Sequence, residues 1–239
     1  MKFSYEYRVD SHDIDINGIA SVAAIMRYMQ ETANLQHVHF GPTLDELRSS
    51  GKAFIVSRIA LDIYKPLYEQ DIVKATSWLN DARGFGYNRS TVLERNGERI
   101  ASMIAYWGAI NIEKREPIRV EEIKLGFETD PDKIALEAPM RFKTKDAPFV
   151  ELGEYKVTYS DCDQNIHLNN TKYPGIFLGF IPNMLGKRVR NITVNYLHEA
   201  KLGASFKVYG TELDGARLFK TMLDSETVGS EARIVLGDI

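Results

Sequence analysis

Cysteine, proline and long apolar runs are scarce in this chain of 239 residues. The single cysteine, Cys162, excludes an internal disulfide and leaves no set of thiolates for a structural zinc site. The longest apolar run, residues 175–185, is too short to span a bilayer and contains Pro182. The N-terminal residues alternate apolar and polar side chains and lack the apolar stretch of a secretory signal. We therefore expect a cytoplasmic protein that does not enter a membrane.

The chain also lacks a large excess of either charge, because 30 Lys and Arg residues and 33 Asp and Glu residues leave a formal net charge of −3. This balance does not fit a general nucleic-acid binder, which presents a strongly basic surface. Apolar residues make up 44% of the chain, which is enough for a sizeable core and excludes a disordered chain. Partners must therefore be predicted from local patches, and we expect no nucleic-acid partner.

The chain contains two copies of one short polar segment, 148 positions apart. The first copy, residues 13–19, reads DIDINGI, and the second, residues 161–167, reads DCDQNIH. The two aspartates and the asparagine are shared, whereas Ile19 stands where the second copy has His167. The repeat therefore indicates two related halves, and the histidine indicates that chemistry is concentrated in the second.

Each copy lies between a predicted strand and a predicted helix. Residues 3–9 alternate as in a half-buried strand, and apolar residues recur at helical spacing over 22–33 behind Ser21, a candidate N-cap. The second half repeats this order with a strand at 154–158 and a helix at 172–185. Further strands are predicted at residues 53–64, 71–79, 86–94, 99–112, 190–199, 205–213, 217–224 and 232–236.

One strand, a long helix and several antiparallel strands form the pattern of the hotdog fold, here present twice. We expect an α+β protein with two tandem hotdog domains, each an antiparallel sheet wrapped around a long helix. The segment 113–150 has four prolines and many charges without a clear period. The predicted boundaries are therefore an N-terminal domain at 1–118, a linker at 119–150 and a C-terminal domain at 151–239.

Asp163, Asn165 and His167 place a carboxylate, a carboxamide and an imidazole within five residues. An exposed polar elbow that leads into a helix N-terminus suits carbonyl chemistry, because free amides and the helix dipole stabilise a developing oxyanion. The alternative is a purely structural role in a hydrogen-bonded turn, since Asp and Asn are common turn residues and the first copy has them too.

Residues 163–173, DQNIHLNNTKY, closely resemble the D-x-N-x-H-x-N-N-x-x-Y segment of acyl-ACP thioesterases. The first half resembles the same family through QETA at 30–33 and LDIYKP at 61–66. The resemblance extends over nearly the whole chain. It implies a thioester hydrolase that converts fatty acyl-ACP to free fatty acid and holo-ACP in fatty acid biosynthesis, with no metal or diffusible cofactor.

The resemblance also implies which residues act. The family's functional aspartate, asparagine and histidine fall on Asp163, Asn165 and His167, and its glutamate falls on Glu199. Plant members have a cysteine directly after that glutamate, where this chain has Ala200. Hydrolysis by an activated water, or by direct attack of Asp163, is therefore favoured over a cysteine nucleophile at that place.

Strand parity opposes one of these assignments. The alternation through residues 190–199 would turn His198, rather than Glu199, toward the core unless a bulge intervenes. In the repeat alignment, Ile19 and Pro66 replace His167 and Glu199. We therefore expect no active site in the first half, which the resemblance assigns to acyl-chain binding.

Other candidate residues carry weaker signals. Cys162 fits a small buried side chain better than a nucleophile, and no carboxylate or cysteine completes a metal-binding set with His37 and His39. Met26 and Met29 fit the core, the lining of an acyl tunnel, or both.

The implied partner, acyl carrier protein, is acidic, so a basic docking patch is expected. The candidate patches are Lys187, Arg188 and Arg190, or Arg141, Lys143 and Lys145. We expect a monomer or a homodimer. The alternatives are an acyl-CoA thioesterase and a non-catalytic acyl-binding or regulatory hotdog protein.

Overall fold

The computed structural model describes residues 1–131, 133–136, 142, 144 and 147–239. Within these residues, one continuous sheet holds the strands of both halves. The first half contains β1 (Lys2–Arg8), α1 (Val22–Phe40), α2 (Leu44–Ser49), β2 (Lys52–Ile63), β3 (Ile72–Arg83), β4 (Gly86–Arg95), β5 (Glu98–Asn111) and β6 (Glu116–Pro117). The second half contains β7 (Val150–Lys156), α3 (Tyr173–Gly179), β8 (Lys187–Tyr196), β9 (Ser205–Leu213), β10 (Ala216–Met222) and β11 (Val228–Asp238).

The strand order shows that the two halves repeat each other. It runs β1-β3-β4-β5-β2 in the first half and continues β8-β11-β10-β9-β7 in the second, so β2 and β8 meet in the middle. Their antiparallel register pairs Leu61 with Ile192 and Ile59 with Val194, all four of them buried. The predicted α+β architecture of antiparallel sheets packed on helices is therefore confirmed, with an unbroken sheet across the centre.

Helix α1 forms where the periodicity predicts it. The Ser21 hydroxyl accepts a hydrogen bond from the Ala24 amide at 3.2 Å, which satisfies one of the free N–H groups of the first turn. Met26 and Met29 are buried on the face that packs against the sheet. The helix ends at Phe40, and the next residue, Gly41, has a positive φ of 67° that suits a residue without a side chain. This helix is the centre of the first half.

The predicted helix at 172–185 is too long. The α-helix ends at Gly179, and the Phe180 and Ile181 amides bond only three residues back. Gly179 weakens the helix and Pro182 disfavours helical backbone at the residue before it. The apolar run beyond Gly179 is therefore a turn that leads to β8.

The first part of the segment predicted as a linker packs against the first half. Val120 and Phe127 are buried in its core. The Trp78 indole donates to the Lys133 carbonyl at 2.7 Å, which ties this segment to β3. The domain boundaries themselves stay a prediction.

Candidate active site

The second elbow, residues 161–169, is a tight hydrogen-bonded turn between β7 and α3. The Asp163 amide donates to the His167 carbonyl at 3.1 Å, and the Ile166 amide donates to the Asp163 carbonyl at 3.0 Å. The Asp163 carboxylate accepts the Asn165 backbone amide at 2.8 Å. Ile166 has a positive φ of 62°, which is unusual for a β-branched residue. The turn therefore fixes the directions of three predicted site residues.

The first elbow has the same backbone. The Asp15 amide donates to the Ile19 carbonyl at 2.8 Å, the Gly18 amide to the Asp15 carbonyl at 3.0 Å, and the Asn17 amide to the Asp15 carboxylate at 2.8 Å. Gly18, with φ of 73°, stands where the second elbow has Ile166. Asp and Asn are therefore turn residues in both copies, as their presence in the first copy indicates.

Backbone pairing also identifies the first-half equivalent of Glu199. The Leu168 amide donates to the Ala200 carbonyl at 2.8 Å, and in the first half the Ala20 amide donates to the Leu67 carbonyl at 2.8 Å. The residues before these acceptors are Glu199 and Pro66, respectively. The first half therefore lacks the second carboxylate as well as the imidazole.

In the second half, the His167 imidazole lies between two carboxylates. Its Nδ1 is 3.7 Å from Asp163 Oδ1, and its Nε2 is 3.6 Å from Glu199 Oε1. The exposed fractions are 23% for His167, 26% for Asp163 and 45% for Glu199, so the group is open to solvent on the Glu199 side. These separations exceed hydrogen-bond lengths and match the loose geometry of unliganded acid–base sites.

Glu199 reaches the imidazole because β8 ends early, at Tyr196 rather than at the predicted residue 199. The Leu197 and His198 amides both donate to the Gly229 carbonyl at 2.9 Å, which breaks the strand alternation. The His198 side chain is exposed, with Nδ1 2.8 Å from the Val228 carbonyl. The strand alternation that favoured His198 therefore ends at Tyr196, three residues before Glu199.

The structure adds two arginines of the first half that sequence reasoning missed. Arg48, in α2, donates from Nη2 to Asn165 Oδ1 at 3.0 Å. Arg115, in the turn after β5, has Nη2 3.9 Å from Glu199 Oε2 and is 71% exposed. Both contacts join residues far apart in sequence, and no local motif marks either arginine.

The elbow is held against the central strands. Asn170 Nδ2 donates to the Val56 carbonyl of β2 at 3.2 Å, and the Tyr196 hydroxyl of β8 donates to the Asn170 carbonyl at 2.9 Å. Of the amides that lead into α3, that of Thr171 already bonds the Asn169 side chain and Pro174 has no N–H. The elbow therefore offers the Asn165 side chain as an oxyanion donor more readily than the helix amides.

Val56 also lines a small cavity between α1 and the sheet of the first half. Its other walls include Gln30, Ala33, Met103 and Trp107. The cavity volume is about 10 Å³, roughly the space of one water molecule. Met26 and Met29 do not line it and lie in the core. Val56 therefore contributes both to the wall of this cavity and, through its carbonyl, to the contact that holds Asn170.

Cys162 is half-buried, with Sγ 3.4 Å from the Thr158 carbonyl. Burial raises the pKa of its thiol, and the carboxylates of Asp161 and Asp163 raise it further. The thiol therefore lacks the electropositive surroundings of a reactive cysteine.

Asp161, buried at the base of the elbow, accepts from the Thr158 amide at 2.8 Å and the Thr158 hydroxyl at 2.7 Å. Burial alone acts to raise the pKa of this carboxyl, but these hydrogen bonds and that of Tyr155 outweigh it and lower the pKa. Asp161 therefore stabilises the turn as a carboxylate.

His37 and His39 have separate structural surroundings. His37 is buried, with Nδ1 3.1 Å from the Pro42 carbonyl, and exposed His39 has Nδ1 2.8 Å from the Leu35 carbonyl. Among the described residues, no group of three or more His, Cys, Asp or Glu side chains is arranged to hold a metal ion. No helix in the described ranges is long and apolar enough to cross a membrane.

The first predicted basic patch lies at the start of β8. Lys187 Nζ is 2.6 Å from Asp238 Oδ1, and the Arg188 guanidinium donates to the Ile63 carbonyl at 2.9 Å. Glu199 lies beyond the far end of this ten-residue strand, which is roughly 30 Å long at the usual rise per residue. The second candidate patch, Arg141, Lys143 and Lys145, lies outside the described residues.

The two hotdog halves share one sheet, and only the second elbow has the imidazole between two carboxylates. This arrangement defines a tandem hotdog protein. Residues 1–124 match the model of the acyl-ACP thioesterase N-terminal domain, and residues 145–233 match that of the C-terminal domain. The chain therefore belongs to the acyl-ACP thioesterase family.

Curated relatives include two chloroplastic proteins of Arabidopsis thaliana. The chain is 27% identical over 222 residues to oleoyl-acyl carrier protein thioesterase 2 and 26% identical over 216 residues to palmitoyl-acyl carrier protein thioesterase. The alignments cover 83% and 82% of this chain, but 60% and 52% of the relatives' own lengths. The chain thus spans little more than half of these relatives.

Solved structures show the same fold over the whole chain. The acyl-ACP thioesterase from Bacteroides thetaiotaomicron superposes with a TM-score of 0.90 at 18% identity and covers 99% of this chain and 98% of its own. The 12:0-ACP thioesterase from Umbellularia californica gives 0.80 at 18% identity, with 100% and 94% covered. The tandem hotdog architecture is therefore shared.

Proposed function

We propose that this protein hydrolyses the thioester of fatty acyl-ACP to free fatty acid and holo-ACP. Family membership supports the reaction class. The observation that carries the proposal is the His167 imidazole between the Asp163 and Glu199 carboxylates, at 3.7 and 3.6 Å. Such a group can activate a water molecule and transfer its proton to the leaving thiolate.

The contacts divide the roles within this group. Both Asp163 oxygens accept hydrogen bonds from Asn165, at 2.8 Å from its backbone and 3.2 Å from its side chain. Two donors on a carboxylate lower its nucleophilicity, so Asp163 serves to orient His167. Activation of water then falls to His167 and Glu199, and the Asn165 side chain donates to the thioester carbonyl.

We place the acyl chain in the first half, in the cavity behind Val56. In the present conformation the cavity is only about 10 Å³, so α1 or the side chains that line it must move before a chain enters. The carrier protein is the proposed partner, because the relatives named above are acyl carrier protein thioesterases. The cytoplasm as the compartment, and a monomer or homodimer as the assembly, stay predictions from the sequence.

The test is a kinetic panel of acyl-ACPs of different chain length and unsaturation, with the matching acyl-CoAs alongside. We expect His167→Ala and Glu199→Gln to lose about 10²-fold or more in kcat. His198→Ala is the matched control, because His198 is an exposed neighbour whose Nδ1 lies 2.8 Å from the Val228 carbonyl, and we expect it to keep wild-type turnover.

Near-normal turnover of acyl-ACP by both variants would overturn the site assignment. A higher kcat/KM on acyl-CoA than on acyl-ACP would favour an acyl-CoA thioesterase. Tight binding of acyl-ACP without release of fatty acid would favour the non-catalytic alternative.

A further inference from the structure

Arg48 belongs to the first half but contacts the elbow of the second. It lies in α2, whose start is fixed by a reciprocal pair of hydrogen bonds between Thr43 and Glu46. The preceding residue, Leu47, is 3% exposed and packs with Ala109 and Ile123. The Arg48 side chain is therefore carried by a short helix with an anchored backbone.

The chemistry of this contact fixes the orientation of the Asn165 amide. A guanidinium has donors and no acceptor, so only the amide oxygen of Asn165 can face Arg48 Nη2 at 3.0 Å. The amide nitrogen must then point the other way, where it donates to Asp163 Oδ2 at 3.2 Å. One N–H of Asn165 uses this acceptor, and the other has no acceptor among the described residues.

The first elbow serves as an internal comparison. There the Asn17 nitrogen donates to the carbonyls of Met184 and Lys187, both at 3.0 Å, and its oxygen accepts from the Gly186 amide at 2.9 Å. Both N–H groups are used, so Asn17 can only hold the loop. At the second elbow a single arginine replaces these three backbone contacts and leaves one donor for a ligand.

We propose that Arg48 is a positioning residue of the active site, which aims the free N–H of Asn165 at the thioester carbonyl. This inference rests on the proposed function. Arg48 pulls electron density toward the amide oxygen, which also makes the opposite N–H a stronger donor. The first half thus contributes a residue to the reaction in addition to binding the acyl chain.

An alternative role for Arg48 is to dock the acidic carrier protein, because its side chain is 32% exposed. The two roles differ in a measurable way. A docking residue acts on KM, depends on salt and matters only when the carrier is present. A positioning residue acts on kcat with any thioester of the same acyl group.

The experiment compares wild type with Arg48→Met and Arg48→Lys on acyl-ACP and on the N-acetylcysteamine thioester of the same fatty acid. Arg217→Met is the matched control, because Arg217 is similarly exposed at 39% and pairs with Glu212 at the β9–β10 turn. We expect Arg48→Met to lower kcat about 10-fold to 100-fold on both substrates, with KM within about two-fold. Arg48→Lys recovers part of kcat, and Arg217→Met matches wild type.

A double variant separates a direct from an indirect role. If Arg48 acts through Asn165, the Arg48→Met/Asn165→Ala protein is no slower than Asn165→Ala alone. Additive losses, an unchanged kcat in Arg48→Met, or a salt-dependent loss confined to KM on acyl-ACP would each overturn the inference.

A readout without turnover keeps the inference apart from the proposed function. The side-chain amide resonances of Asn165 in an NMR spectrum should shift in Arg48→Met and stay in place in Arg217→Met. If wild type hydrolyses neither thioester, the proposed function fails. If these resonances do not move in Arg48→Met, the positioning role itself is wrong.

Discussion

Because His37 is buried, we expect the protein to lose stability as the pH falls from neutral to mildly acidic values. Its ring lies in the last turn of α1 with 0% of its surface exposed. Burial, together with the nearby Arg89 guanidinium, lowers the pKa of His37 from an ordinary value of 6.5 to about 4, against a smaller opposing effect of the Pro42 carbonyl. The folded protein therefore keeps this ring neutral where an unfolded chain protonates it.

The sign and size of the effect follow from that difference. Between the unfolded value of 6.5 and the folded value of about 4, the unfolded state binds more protons, so unfolding becomes easier as the pH falls. Each unit of pKa difference is worth about 1.4 kcal/mol. From about pH 7 to about pH 5, we expect His37 to remove about 2 kcal/mol from the free energy of unfolding.

The assay is urea unfolding at several values in this pH range, for wild type, His37→Gln and His39→Gln. Glutamine does not titrate, so the His37→Gln protein should lack this share of the pH dependence whatever its stability at pH 7. His39 is the exposed histidine two residues away, and its variant should follow the wild-type curve. A wild-type curve parallel to that of His37→Gln would refute the reasoning.

Two further predictions concern the elbows. Asn17→Ala removes three contacts to the loop at 184–187 and should lower the free energy of unfolding by about 2–3 kcal/mol, as measured by urea unfolding, while kcat per folded molecule stays at the wild-type value. Asn165→Ala should show the reverse, and equal loss of activity in both would contradict the division of roles. The lowered pKa of Asp161 gives stability that is present above the unfolded value of 3.8 and is lost as the pH falls through the folded value. Asp161→Asn should therefore cost about 1–2 kcal/mol of unfolding free energy at neutral pH, and a penalty that persists unchanged below that window would rule out the charge as its cause.

Local pattern predicted the elements well where one face of a segment is buried. The α1 start at Ser21 and the strand at 205–213 match the structure, because capping and alternation act within the segment itself. The helix predicted at 172–185 was right in its first half and wrong beyond Gly179, because an apolar run gives the same signal for a buried helix and for a buried turn. Gly179 and Pro182 were the residues that distinguished them.

The sequence could predict only those site residues that lie close to one another along the chain. Asp163, Asn165 and His167 share one turn, so their proximity follows from sequence spacing. Arg48 reaches the same turn from α2 of the first half, and a single sequence has no signal for a contact across 117 positions. The irregular end of β8 that brings Glu199 to His167 depends on the Gly229 carbonyl of another strand, which the period-two pattern does not encode.

The two elbows show how one backbone turn can serve two purposes. The fourth residue of the turn, counted from Asp15 or Asp163, has a positive φ, and in both copies the shared Asp carboxylate accepts the backbone amide of the shared Asn. The turn does not constrain the side chain of the residue that follows this position. That residue can therefore be the apolar Ile19 in the first elbow and the imidazole of His167 in the second. Asn17 then holds a loop of the second half, and Arg48 of the first half holds Asn165. Because each half fixes the other's elbow, the geometry around His167 is a property of the joined pair rather than of either half alone.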